Sequence, residues 1–439
     1  MQKLIFILCF GLLTVSADVY AQQDSIWTLE KCINYAFEQN IQIRKSKLSN
    51  QRLGLYSEQS KAQRLPSVNG SISQNFNWSK SNPPGATGFT GTNGSNYSVN
   101  SGVTIFNYSR IENLIKQAEL DLESGNYSLE TTKESISLNI LNAFLQVLYA
   151  EEQVKNSKKQ IESTAGQLNL AIERLALKEI SQADYSQVKS QMASEKLTLA
   201  NAESQLAIAK VNLMQMMELP VTSSFSIVHP SLGETLNQHR VPDVKTIYET
   251  ALAIKPQIKN AALNKKSAEL DEQIAKAGYF PTLSASAGIS SDYSSSATDI
   301  YFNQLNNGIR PSVGFSLSVP IYQKKQVNTS VAVARIGYLD ADLSETDTKN
   351  QLRKSIEQTC QDVISAQTEY DASLEKFQAT LESSAQSDEK FRQGIINSVD
   401  YLVTKTNLIV AESELLQSKY KLIFSYKILD FYSGIPLSL

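Results

Sequence analysis

The stretch Val68-Asn69-Gly70-Ser71-Ile72-Ser73-Gln74-Asn75-Phe76-Asn77-Trp78 keeps Ser and Asn at its odd positions and, Gln74 apart, apolar residues or glycine at its even ones. A period of two marks a strand with one apolar and one polar face. Three further stretches share it. Tyr97, Val99, Ser101, Val103 and Ile105 alternate with Ser98, Asn100, Gly102 and Thr104. Leu283, Ala285, Ala287, Ile289 and Tyr293 alternate with Thr282, Ser284, Ser286, Ser290 and Asp292. The last alternates Val313, Phe315, Leu317, Val319 and Ile321 with Ser312, Gly314, Ser316 and Ser318.

The polar face has few charges, which suits a wet lumen. Phe76, Trp78, Tyr97, Phe106, Tyr293 and Tyr322 lie near strand ends, where interfacial girdles form. Strands of about ten residues cross a bilayer at a tilt. A soluble sandwich with one wet face fits the same alternation. In lipid, open edges are not tolerated, so several chains must each donate four strands. Two copies give eight strands and a nearly filled interior; three give twelve and space for a pore. Segments 77–96 and 292–307, rich in Asn, Ser, Thr and Gly, read as surface loops, with Pro83-Pro84-Gly85 stiffening the first.

Outward from the strands the chain is helical. Expected helices cover 29–40, 42–64, 111–177 and 182–218, then 244–254, 257–277, 327–393 and 399–433. Pro256 breaks the second set early, Asn40 marks the matching break in the first, and Asp243 is the expected N-cap of 244–254. Ile136, Ile140, Phe144, Val147 and Val154 recur at helical spacing among Lys, Glu, Gln and Asn. A helix of about 67 residues is about 100 Å long and needs a partner along its length. Turns at 178–181 and 394–398 fold each long helix into an antiparallel hairpin. The two shorter helices of each half, stacked end to end, approach the length of the long one.

The halves repeat one plan. Pro66 and Pro281 are 215 residues apart, whereas Ile105 and Ile321, Ala118 and Ala334, Asp184-Tyr185 and Asp400-Tyr401, and Pro220 and Pro436 are each 216 apart. Four segments follow: 1–21, a signal peptide; 22–220, the first repeat; 221–243, a connector; 244–439, the second repeat. The signal reading rests on Lys3, the apolar run 4–13 and Val19-Tyr20-Ala21 before Gln22.

Lys plus Arg number 41 against 44 Asp plus Glu, which argues against nucleic acid as a partner. Two His and three Cys make a His/Cys metal site or a catalytic triad improbable, and the chain reads as a non-enzyme without cofactor. Cys32 and Cys360 read as buried free thiols, His229 and His239 as surface residues. No stretch after the first residues reaches the 18 apolar residues of a membrane helix.

Together these features resemble the TolC-like outer membrane efflux protein family. The resemblance is carried by the signal, the Ala-x-x-x-Pro lead-ins at Pro66 and Pro281, the turns before Asp184 and Asp400, the duplicated order and the closing Tyr432-Ser433-Gly434-Ile435-Pro436. It implies a homotrimer: a twelve-stranded transmembrane β-barrel in outer-membrane lipid, four strands per chain, continuous with a long α-helical coiled-coil barrel in the periplasm. It also implies a belt formed by the short helices and connector, and docking of the helical tips to a periplasmic membrane fusion (adaptor) protein and an inner-membrane transporter. The implied function is a passive exit duct for small molecules, including drugs. The outer channel of a protein secretion machine and, in another class, a non-conducting surface stalk remain alternatives.

In this family acidic residues near the second hairpin turn line the closed pore aperture. Asp400 matches one such position, and Asp184 matches the acidic position of the first hairpin. The family's second acidic position is Val403 here, and the tyrosine and arginine of its latch correspond to Phe391 and Ile396. Helix capping is the competing role for both Asp residues, because Ser181-x-x-Asp184 and Asn397-x-x-Asp400 each put an acid in a first helical turn.

Overall fold

The computed structural model describes residues 26–80, 88–220, 225–230 and 243–439. The signal segment, Pro83-Pro84-Gly85 and His239 lie outside them. A two-residue strand, β1 (Ile26–Trp27), leads into α1 (Leu29–Gln39) and α2 (Ile41–Ala62). Strands β2 (Ser67–Lys80) and β3 (Phe89–Phe106) follow, then α3 (Arg110–Ala176) and α4 (Gln182–Met216). A short β4 (Ser226–Ile227) precedes α5 (Val244–Ile254), α6 (Pro256–Lys276) and β5 (Thr282–Ser294). The chain ends with α7 (Tyr301–Asn307), β6 (Arg310–Ser318), α8 (Gln326–Arg392) and α9 (Ser398–Tyr432).

The four long strands form one antiparallel sheet in the order β2-β3-β5-β6, leaving β2 and β6 as open edges. Its register collects the apolar positions on one face. Ile72 lies opposite Tyr97, Val99 opposite Ile289, Ala287 opposite Val313, and Leu283 opposite Leu317. Residues directly opposite share a face, so Ser71–Ser98 and Ser98–Ser290 extend the polar face, where the Ser71 and Ser98 hydroxyls are 2.7 Å apart. A bulge at Ile105 shifts the register just before Phe106 meets Leu283.

Three strand expectations need correction. β2 and β3 have 14 and 18 residues instead of about ten, so the ladder runs well into the supposed loop 77–96. Polar side chains do not stop a hairpin whose backbone groups remain paired. The supposed loop 292–307 contains the end of β5 and helix α7. β6 stops at Ser318, so Val319 and Ile321 fall outside it; Pro320, which has no N–H, ends the ladder.

The helices begin and end within two residues of expectation. α3 and α8 have 67 residues each, about 100 Å at helical rise. Asn40, between α1 and α2, accepts bonds from the amides of Gln42 and Ile43, and its side-chain amide donates to the Met216 carbonyl at 2.8 Å. That bond joins the end of α4 to the start of α2, the end-to-end stacking expected from their lengths. Asp243 occupies the N-cap position of α5, but its side chain makes no capping bond.

Two apolar clusters lie midway along the long helices. The first packs Cys32, Ile33 and Ile43 on Ile140, Phe144, Leu213 and Met217; the second packs Ile247 and Ala251 on Leu352, Ile356, Val363 and Tyr426. β1 and β4 pair in parallel beside the first cluster and tie the connector to the N-terminal segment. Two-residue strands have no periodicity to read. Cys32 and Cys360 are free, in separate clusters, and burial pushes the Cys32 thiol up to about 12.

Candidate functional site at the hairpin turns

Both turns leave the long helix through a left-handed residue, Lys178 (φ 62°) in the first and Gly394 (φ 72°) in the second. The Glu179 amide donates to the Arg174 carbonyl and the Ile395 amide to the Lys390 carbonyl, each at 2.9 Å, closing the helix ends alike.

The two carboxylates then diverge. Asp184 completes a capping box: its Oδ2 accepts from the Ser181 hydroxyl at 2.6 Å and the Ser181 amide at 3.2 Å, while its own amide donates to Ser181 Oγ at 3.1 Å. It is half-buried and lines a cavity of about 390 Å³ between the turns, with Arg174, Phe391 and Asn397. Asp400 is exposed and does not line that cavity. Its amide donates to Asn397 Oδ1 at 2.8 Å, so the cap is made without its carboxylate. The structure therefore does not bring the two acids together within one chain.

A set of residues joins the hairpins, of which local sequence reasoning singled out only Phe391. Arg174 on α3 donates to the Phe391 carbonyl at 3.2 Å and to that of Arg392, both at the end of α8. Phe391 stacks on Tyr401 with centroids 4.6 Å apart, and the Tyr401 hydroxyl accepts from Gln167. Burial, then the Asp388 carboxylate, pushes the Tyr401 hydroxyl well above its usual range. Lys405 is buried, with Nζ 2.5 Å from Thr164 Oγ1 and 3.8 Å from Glu195 Oε1. Desolvation lowers its pKa, offset by Glu195 and Asp388. The other Glu195 oxygen is buried without a hydrogen-bond partner. The sequence signal available was a lysine one helical turn after Tyr401, at a core spacing.

Among the described residues no three His, Cys, Asp or Glu side chains gather as a metal site. His229 is exposed in the connector, as expected, and its Nε2 lies 2.9 Å from Glu151 Oε2. The Arg174 and Phe391–Tyr401 contacts tie the tips of the two hairpins together.

Residues 32–217 and 247–434 match the family described as outer membrane efflux protein. The chain is 25% identical over 333 residues to outer membrane protein TolC of Salmonella enteritidis, covering 72% of the chain and 64% of the relative. It is 27% identical over 310 residues to TolC of Escherichia coli (strain K12), covering 66% of the chain and 59% of the relative. It thus spans less than two thirds of the length of either relative. Its fold is similar to that of the Campylobacter jejuni CmeC outer membrane channel, with a TM-score of 0.77 at 16% identity over 92% of this chain and 85% of that one.

Proposed function

Since the chain belongs to the outer membrane efflux protein family, we propose that three copies close into a passive exit duct for small molecules across the periplasm and outer membrane. The protein resides in the outer membrane with a periplasmic extension. The observation that carries the reading is the open four-stranded sheet, exposed on its apolar face at Ile72, Val313 and Phe315. Unpaired strand edges in lipid must be sealed, and β6 of one protomer is free to pair with β2 of the next. The helical layer has matching flanks: Val333, Ile336 and Leu343 are exposed on α8, Leu48 and Leu55 on α2. Three copies supply twelve strands.

Tandem duplication accounts for the architecture. Left-handed residues recur 216 positions apart at Tyr108 and Lys324, Ser109 and Lys325, Lys178 and Gly394, and Glu218 and Gly434. In the trimer Asp400 rings the periplasmic mouth, while Asp184 chiefly caps its helix. An adaptor and an inner-membrane transporter supply energy and substrate choice.

Planar-bilayer recording of the purified mature protein tests the duct. The expected result is a discrete single-channel conductance from detergent-stable trimers. Stable protein that never inserts or conducts would favour a stalk.

A further inference from the structure

All four long strands meet the helices at one end of the sheet, through residues 63–66, 107–109, 277–281 and 319–325. These junctions, with Arg110 opening α3, contain Arg64, Arg110, Lys324 and Lys325 and no Asp or Glu. None of the four cations forms an ion pair among the described residues. They lie among Tyr108, Tyr279, Phe280 and Tyr322, all exposed, with Tyr108 stacked on Phe280 at 3.4 Å. At the other end of the sheet the only cations among the described residues are Arg310, paired with Asp292 at 2.9 Å, and Lys80.

A cleft of about 930 Å³ opens beside this end, lined by Lys61, Arg64, Tyr108, Lys116 and Lys276 together with Glu112 and Glu119. Lys61 is paired with Glu119 at 2.9 Å and Lys276 with Glu272 at 2.6 Å. Among the described residues neither Arg64 nor Lys116 forms an ion pair, and the cleft's cations outnumber its carboxylates. Basic side chains level with a membrane surface attract anionic lipids, and aromatic residues anchor at the same depth.

We infer that the junctions form a cationic, aromatic collar that binds the phosphate headgroups of anionic phospholipids in the periplasmic leaflet. The inference rests on the reading of the sheet as a membrane-spanning element. Each protomer brings Arg64, Lys324 and Lys325 to the leaflet surface, and Arg64 and Lys116 hold a headgroup in the cleft. Zwitterionic headgroups, with no net charge, gain less from the same cations.

Spin-labelled phosphatidylglycerol and phosphatidylcholine, each at trace level in vesicles holding the full mature protein, give the test. The electron paramagnetic resonance spectrum reports how much of each lipid the protein immobilises. Wild type is expected to prefer phosphatidylglycerol, by about fivefold for each engaged cation. The preference should fall towards unity in R64Q/K324Q/K325Q and in high salt, and persist in the charge-preserving R64K/K324R/K325R. Equal immobilisation of both lipids by wild type, or an unchanged preference in the glutamine variant, would overturn the collar. Wild type that immobilises neither lipid and leaves no protease-protected sheet would overturn the membrane reading itself, and the collar with it.

Discussion

Asp400 and Asp184 occupy corresponding positions, yet only Asp184 commits its carboxylate to a cap. Three Asp400 carboxylates near a symmetry axis would attract cations. Asp400→Ala should therefore weaken block of single-channel current by multivalent cations, whereas Asp184→Ala should chiefly lower stability, by about 1 kcal/mol. Equal block in wild type and Asp400→Ala would remove Asp400 from the mouth. Lys405 and Glu195 are 5% and 6% exposed, so Lys405→Met leaves a buried charge without its counter-ion. A loss of about 3–5 kcal/mol in urea unfolding is expected, largely restored in K405M/E195L. Alkaline pH tests the same cluster. The folded chain holds the Tyr401 hydroxyl neutral above the usual 10.0, so its contribution is intact below pH 10 and lost as pH rises further. Buried Tyr420 and Tyr426 and half-buried Tyr432 act in the same direction. Lys255 and Lys405, with lowered pKa values, oppose them only below 10.5. Tyr401→Phe should make the decline above that point shallower by up to about 1.4 kcal/mol per pH unit.

At the scale of elements, one backbone conformation is built from different residues in the two hairpins. Lys178 and Gly394 both have positive φ, a region that disfavours any residue with a Cβ. Lys178→Gly should stabilise the first turn by about 1 kcal/mol and Gly394→Ala should destabilise the second by a similar amount, read as opposite shifts in thermal midpoint. Helix extents were legible because long runs without proline, caps such as Ser181 and Asn397, and apolar spacing agree with one another. Gly125 was not legible as a packing residue. A Cβ there would lie 2.5 Å from Leu53 Cδ1 and 2.6 Å from Asn50 Oδ1, so its absence lets α2 approach α3. That approach depends on residues more than 70 positions away.

For the whole molecule, the discriminating property is an apolar sheet face left in contact with solvent by a single chain. Phe315 is 73% exposed on it. Phe315→Arg should cost about 2–4 kcal/mol per copy if the position sits near mid-membrane, and almost nothing on a wet surface. The yield of detergent-resistant, membrane-inserted trimers measures the difference. Closure of the sheet and seating of α8 on the next copy's α2 are coupled in this reading, because β6 and α8 flank one side of the chain and β2 and α2 the other.

Alternation in β2, β3, β5 and β6, the paired spacing of 216 residues and the cap signals were determined by sequence alone, since each is set by neighbours a few residues apart or by a fixed period. The apposition of Arg174 with the end of α8, the burial of Lys405 beside Glu195 and the pairing of β1 with β4 were decided only by tertiary structure. Those contacts join segments some 200 residues apart, and no local preference records which distant backbone carbonyl or carboxylate a long side chain will meet once the helices have packed.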